Sequence, residues 1–179
     1  MRVGVLTISD AGARGERADT SGDAAAQWAI GRGYQVSMKK LIPDEAGQIV
    51  STLTEWCDGG GVDLVLTTGG TGLSDRDVTP EATRAVIERD APGIAERIRV
   101  LSVETFPRAA LSRGVSGVRK KTLIVNLPGS TSGVKDGLAA LAPIVEHAIA
   151  VLRGDRLDHG DATPMSAATG APASGQQEP

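Results

Sequence analysis

The chain is 179 residues long, a length that suits one domain of about 100–200 residues. Forty per cent apolar content suffices for a core, but the aromatics are two Trp, one Tyr and one Phe, so Val, Ile, Leu and Ala must build it. A net charge of −3 argues against general nucleic-acid binding, a single cysteine excludes an internal disulfide or cysteine metal cluster, and no apolar run approaches the ~20 residues that span a bilayer.

Met1-Arg2-Val3-Gly4-Val5 enters a strand at once with no signal peptide, which implies a cytoplasmic protein without a membrane partner. That first strand covers residues 3–8 and ends at Ser9-Asp10, before a loop rich in Gly, Ala and charge. A helix is expected over 22–30, closed by Gly31 and Gly33. Residues 34–42 read as strand, with Lys39-Lys40 marking an edge or a half-exposed face. Pro43-Asp44 opens a helix carrying Ile49, Val50, Leu53 and Cys57 at helical spacing, where Cys57 reads as a buried structural thiol. Residues 64–67 are a short, fully apolar strand, hence central. Helices over 80–89 and 93–103 follow, separated by Asp90-Ala91-Pro92.

Residues 122–127 form another buried strand ending in the turn Pro128-Gly129-Ser130. The last helix, 132–152, sets Val134, Leu138, Leu141, Val145, Ala148 and Leu152 on one stripe, and Pro143 should bend it mildly. From 155 to 179 only Leu157 and Met165 are large and apolar, too few to offset ordering entropy, so a disordered tail without a catalytic role is expected after a domain of residues 1–154. Strands alternating with helices define an α/β domain with a mostly parallel sheet.

The run Thr68-Gly69-Gly70-Thr71-Gly72, followed by Asp77 and then Thr79-Pro80-Glu81, is the most informative segment. Glycine allows positive φ and close approach, free N–H groups in such a turn cradle anions, and a nearby acid can hold a divalent cation. Thr79 would cap the following helix, with Pro80 at its first position and Glu81 on the positive end of its dipole. The spacing is neither a P-loop nor the dinucleotide fingerprint G-x-G-x-x-G. A tight strand-to-helix connection with an exposed acid is the plainer alternative to a nucleotide phosphate site.

In open α/β sheets ligands bind beyond the carboxyl ends of the strands. Four such ends carry polar or glycine residues: Ser9-Asp10, Pro43-Asp44, the glycine turn, and Asn126 to Ser132. The last is a second glycine turn before a helix, suited to a second phosphate, and two facing sites suggest a reaction between two phosphorylated molecules. Asp44 and Asp77 are the candidate acids for magnesium, which takes one or two carboxylates plus substrate phosphates. Asp44 is also a good helix N-cap, and Asp77 could instead orient the glycine turn. Arg76, Arg113 and Lys135 could neutralise phosphate. His147 in the last helix and His159 in the tail are placed for neither a histidine base nor a zinc site.

These motifs together resemble the molybdenum-cofactor biosynthesis family. The carriers are Thr68 to Gly72, Arg76-Asp77-Val78-Thr79-Pro80-Glu81 and Asn126-Leu127-Pro128-Gly129, with Ile8-Ser9-Asp10, Asp19-Thr20-Ser21-Gly22, Leu41-Ile42-Pro43-Asp44 and Leu111-Ser112-Arg113-Gly114 in the family's order. Over residues 2–153 the chain is most similar to the single-domain Mog/MoaB type, related to the G domains of gephyrin and plant Cnx. The resemblance implies a three-layer α/β/α domain, a trimer, and magnesium-dependent transfer of AMP from ATP to molybdopterin with release of pyrophosphate. The product would pass to a molybdenum-inserting partner of the MoeA type. It assigns Asp44 and Asp77 to catalysis and the metal, and Thr68, Gly69, Gly70, Thr71 and Gly72 to nucleotide. Ser9, Asp10, Asn126, Pro128, Gly129, Ser130 and Ser132 go to molybdopterin. A non-catalytic molybdopterin-binding protein of the same fold remains an alternative. A CinA-type nucleotide hydrolase is weaker, because such proteins carry a further catalytic domain, and a molybdenum insertase would need extra domains too.

Overall fold

The computed structural model describes residues 1–155; the expected tail lies outside them from residue 156 onward. A six-stranded sheet runs in the order β2-β1-β3-β6-β5-β4. Its strands are β1 (Arg2–Ile8), β2 (Gln35–Ile42), β3 (Leu64–Thr68), β4 (Arg89–Asp90), β5 (Ser116–Arg119) and β6 (Thr122–Leu127). The pairs β1·β2, β1·β3 and β3·β6 are parallel, whereas β5 is antiparallel to both neighbours. The central strands β3 and β6 are buried at every position, as their unbroken apolar runs require, and β2 alternates exposed and half-buried as the outer strand of the sheet.

The described residues form six α-helices, α1 (Asp10–Ala13), α2 (Thr20–Gly31), α3 (Ala46–Asp58), α4 (Thr79–Arg84), α5 (Pro92–Val103) and α6 (Thr131–Arg153), with a 3-10 turn at Pro107–Leu111. Helices α2 to α6 cover the two faces, and the short α1 follows the end of β1. On one face Ala25 and Ala29 of α2, Ile98 of α5 and Leu138, Leu141, Val145 and Ile149 of α6 pack on Val3, Val5, Leu66 and Val125. On the other, Ile49, Leu53 and Trp56 of α3 and Ala82 of α4 pack on Leu6, Val65 and Ile124. The result is a three-layer α/β/α domain. Each fully buried Leu or Ile contributes about 1.5–3 kcal/mol of transfer free energy, so the core is mainly aliphatic, with Trp56 as its buried aromatic.

Several expected boundaries move for local reasons. The helix expected from Pro43-Asp44 begins at Ala46, because Asp44 turns its carboxylate to another strand end and leaves Glu45 before the first turn. The helix expected to reach residue 89 stops at Arg84; Glu88 and Ala91 bond backbone to backbone with Val118 and Ser116 instead, which makes the short β4 and β5. Neither strand carries a periodic apolar signal. Ser9 caps an unforeseen helical turn, α1, by accepting from the Gly12 N–H at 3.1 Å. α6 runs uninterrupted through Pro143 and ends on Gly154 at φ 82°. Cys57 is buried, and burial pushes its thiol up to about 11, consistent with a structural role.

Candidate active site

β1 connects through α2 to β2 on one side, and β3 leads on toward β6 on the other, so the strand order reverses between β1 and β3. A cavity of about 320 Å³ opens at that switch point, on the carboxyl ends of the parallel strands. The four strand ends singled out in the sequence all contribute to it: Ser9 after β1, Asp44 after β2, Gly69 and Gly70 after β3, and Gly129 and Ser130 after β6. Asp77 completes the acidic side.

The glycine turn is held rather than floppy. Gly69 and Gly70 have φ of 99° and 62°, the left-handed region. A Cβ on Gly69 would overlap the Ile8 carbonyl, and one on Gly70 would overlap the Thr79 hydroxyl and sit 3.0 Å from Asp44 Oδ1. Thr79 does not cap α4, which already includes it and follows Val78 with no side-chain cap. Its hydroxyl donates to the Gly69 carbonyl at 2.9 Å, and its N–H to the Gly70 carbonyl at 3.1 Å. The Thr68 hydroxyl donates to the Pro128 carbonyl at 2.7 Å, and a Cβ on Gly129 would sit 3.1 Å from Gly69 Cα. The two glycine turns therefore touch across the β3–β6 boundary.

Thr68, Thr71 and Gly72 stand behind this surface. The Arg113 N–H donates to the Thr71 carbonyl at 2.9 Å and its Nε to the Gly72 carbonyl at 2.7 Å. The same guanidinium bonds the Asp77 carbonyl and Glu81, so Arg113 is committed to the loop. Arg76 is likewise committed, as a two-pronged partner of Asp10, and Lys135 is absent from the cavity lining.

Asp44 and Asp10 join the ends of β2 and β1. The Asp10 N–H donates to Asp44 Oδ2 at 2.8 Å, and the Asp44 N–H donates to Asp10 Oδ1 at 3.0 Å. Burial pushes the Asp44 carboxyl above its ordinary value; the Asp10 N–H opposes this, and the charges of Asp10 and Asp77 add to it. Asp77 sits on a tight turn, accepting the Ser74 N–H at 2.9 Å, and a Cβ on Gly72 would meet it at 2.9 Å. Asp44 and Asp77 thus face one cavity, with mutual repulsion that a cation would relieve. Among the described residues no three His, Cys, Asp or Glu side chains are placed to hold a metal ion by themselves. Two carboxylates suit magnesium brought with substrate phosphates and do not suit a protein-only cage.

The second turn divides. Gly129 and Ser130 line the cavity, and Ser130 caps α6 by accepting the Gly133 N–H at 3.1 Å. Asn126 is buried behind them: its amide donates to Thr67 and Thr83 hydroxyls at 2.9 and 3.0 Å and accepts the Val115 N–H at 3.1 Å. Pro128 and Ser132 are not on the cavity surface. Asn126 is therefore a brace for the turn, without a free group to offer a ligand. Asp10 also lies off the cavity lining.

Sequence reasoning from chemistry alone missed Asp19 and Arg17. Asp19 lines the cavity, caps α2 through the Gly22 N–H at 2.8 Å and accepts from the Thr7 hydroxyl at 2.9 Å. The signal was present in Asp19-Thr20-Ser21-Gly22, an acid at an N-cap, but such caps are common. Arg17 is the one cation among the lining residues, and it takes part in no ion pair among the described residues. A second cavity, about 410 Å³, runs along Ser112 to Ser116 with Arg84, Arg99 and Arg113 on its wall. A shallow depression bounded by Asp77 and Arg113 lies between the two.

Fold and site together define an α/β domain with two glycine turns and an acid-lined cavity at a sheet switch point. The chain belongs to the molybdenum-cofactor biosynthesis family, whose profile, described as a probable molybdopterin binding domain, matches residues 4–147. It is 43% identical over 141 residues to a molybdopterin adenylyltransferase of Escherichia coli, spanning 77% of this chain and 72% of that protein. It is 40% identical to the molybdenum cofactor synthesis protein cinnamon of Drosophila melanogaster, of whose length it spans 26%. Among solved structures, the molybdopterin biosynthesis enzyme MoaB of Thermus thermophilus superposes with a TM-score of 0.81 at 49% identity, covering 86% of this chain and 96% of that one. Among the described residues no helix is long and apolar enough to cross a membrane.

Proposed function

We propose that this protein is a molybdopterin adenylyltransferase of molybdenum cofactor biosynthesis, transferring AMP from ATP to molybdopterin. The observation that carries the reading is the contact between the two glycine turns, with Asp44 and Asp77 facing the same cavity. One phosphate-binding turn serves a single phosphorylated ligand; two in contact bring two phosphates together, which is the requirement of nucleotidyl transfer.

The nucleotide phosphates lie on the 69–70 turn, under free backbone N–H groups. The terminal phosphate of molybdopterin lies by the Gly129-Ser130 turn, and the pterin extends toward the arginine-lined cavity along Ser112 to Ser116. An oxygen of the pterin phosphate attacks the α-phosphorus of ATP. The bond from that phosphorus to the bridging oxygen of the β-phosphate breaks, and pyrophosphate leaves with the electron pair. Asp44 and Asp77 would hold magnesium, which supplies charge neutralisation to the phosphoryl oxygens. Arg17, the cation on the cavity lining, is the residue we assign to the β- and γ-phosphates. Three acids, Asp19, Asp44 and Asp77, line the same wall. They keep it unfavourable to a polyphosphate that arrives without its cation.

Exposed Val100, Leu101, Phe106 and Leu111 on and after α5 support self-association, and the family resemblance makes the expected assembly a homotrimer. Sedimentation checks it, and a monomer at micromolar concentration overturns it. The adenylylated product is then a substrate for an insertase of the MoeA type.

The test of the function is pyrophosphate release from ATP, magnesium and molybdopterin. Asp77→Asn should cost at least about 100-fold in turnover with the fold intact, in line with losing a metal clamp on the transition state. Molybdopterin binding without pyrophosphate release from the wild-type protein would establish the non-catalytic alternative.

A further inference from the structure

We propose that Asp10 is a positioning residue that sets the placement of Asp44 and Asp77 together and touches no substrate; this rests on the reading of those two acids as the reacting pair. The family resemblance puts Asp10 among the pterin contacts. Its carboxylate is instead spent within the protein, and it is absent from the cavity lining.

The geometry is that of a hub. Asp44 lies in the three-residue connection between β2 and α3, outside both elements. Asp10 fixes it twice, donating a backbone N–H to the Asp44 carboxylate and accepting the Asp44 N–H. The first bond aims the Asp44 carboxylate; the second fixes the backbone that carries it. Asp77 lies in the loop between Gly72 and α4. Arg113 holds that loop from the β5 side, through the Asp77 carbonyl. On the β1 side, the described ion pair is Arg76 to Asp10, with Nε and Nη2 reaching the two carboxylate oxygens at 2.8–3.0 Å. Arg76 is the residue next to Asp77. One carboxylate at the end of β1 therefore ties down both acids, one through the main chain and the other through a two-pronged guanidinium.

The charge arrangement agrees with this role. Three carboxylates at one strand edge repel, and the Arg76 guanidinium cancels the one that faces no ligand. The Asp10 carboxylate oxygens accept from the Asp44 N–H and from Arg76 Nε and Nη2 at 2.8–3.0 Å, so its charge is met inside the protein. Outer partners of metal-holding carboxylates set their orientation, which is the role assigned here.

The test uses Asp10→Asn, Arg76→Ala, Arg76→Lys and the double variant Asp10→Asn with Arg76→Ala. Arg76 is exposed, so its variants fold even where Asp10→Asn is weakened. Turnover in Asp10→Asn and in Arg76→Ala should each fall about tenfold or more, and the magnesium concentration for half-maximal rate should rise by a similar factor. ATP binding measured without metal, and the KM for molybdopterin, should stay at wild-type values. Amide exchange at residues 74–77 of the ligand-free protein should accelerate in both. The double variant should be no worse than Asp10→Asn alone, because the tether that Arg76→Ala removes ends on the carboxylate already changed in Asp10→Asn. Arg76→Lys should recover part of the loss, since a point charge replaces the fork.

A rise confined to the molybdopterin KM would show a direct contact and overturn the proposal. So would losses that multiply in the double variant, or unchanged amide exchange. If Asp44→Asn and Asp77→Asn keep wild-type turnover while Asp10→Asn loses it, the reading of the two acids is what fails.

Discussion

The Thr79 hydroxyl donates to the carbonyl of Gly69 at 2.9 Å, joining the first residue of α4 to the glycine turn ten positions earlier. Both partners are buried, so the bond fixes the curvature of the turn as well as the direction of the helix. Thr79→Val keeps the shape and leaves the Gly69 carbonyl without its donor. It should lower unfolding stability by about 1–3 kcal/mol and weaken ATP more than molybdopterin. Urea unfolding and separate ligand titrations check both parts. Unchanged ATP affinity would detach the turn from the nucleotide.

Gly70 is under two constraints at once, a φ of 62° and a Thr79 hydroxyl where a side chain would go. Gly70→Val should abolish ATP binding, because it fills the space of the phosphates and strains the turn. Molybdopterin binding should survive, and calorimetric titration of each ligand alone reads the difference. Equal loss of both would mean that the two turns form one undivided site.

Arg17 offers a way to separate triphosphate from monophosphate recognition. It lines the cavity and is committed to no acid among the described residues, whereas Arg14 is paired with Glu16 and Arg76 with Asp10. Arg17→Ala should weaken ATP by about tenfold, the value of one charge-assisted bond to phosphate, while AMP affinity stays near wild type. Competition binding with the two nucleotides measures the ratio. An equal loss for ATP and AMP would place the guanidinium at the α-phosphate instead.

Far from the site, Asp63 anchors the amino end of the sheet. It is 6% exposed and accepts from the Arg2 N–H at 2.7 Å and from the Arg2 and Arg153 guanidiniums. Burial works to raise its carboxyl, but the Arg2 and Arg153 bonds outweigh it and hold it well below 3.8. A depressed folded value means that the contribution is full above the unfolded value and drains away as pH falls below it. Asp63→Asn should cost about 1–3 kcal/mol at neutral pH, because the buried carboxylate loses its charge-assisted bonds to two half-exposed guanidiniums. The gap from wild type should narrow in urea melts taken at about pH 3. A gap independent of pH would show that packing, not charge, is what the variant loses.

Much of the fold was legible because its signals are local. The apolar runs of β1, β3 and β6 and the stripe through Val134, Leu138, Leu141 and Val145 of α6 each carry their period in a short stretch. β4 and β5 were invisible for the opposite reason. Arg89-Asp90 become strand by pairing with Val118 and Gly117, a partner almost thirty residues away. The Thr-Pro start of α4 was read correctly as a helix origin and wrongly as a cap, because the competing acceptor, the Gly69 carbonyl, is supplied by another element.

What the sequence determined by itself was the set of chemical groups and their approximate place: glycines where φ must be positive, acids after two strands, and a second glycine turn before a long helix. Those follow from neighbours in the chain, whose steric and hydrogen-bonding demands act over a few residues. Which of the acids line the cavity was decided only by the tertiary structure. Asp10 and Asp44 look alike in sequence, each an acid just beyond a strand, yet one pairs with the exposed Arg76 and the other lines the cavity. Asn126 was drawn away in the same manner, to two threonine hydroxyls from other elements. A polar side chain goes to the partner that satisfies it at least desolvation cost, and that partner exists only once the strands are side by side.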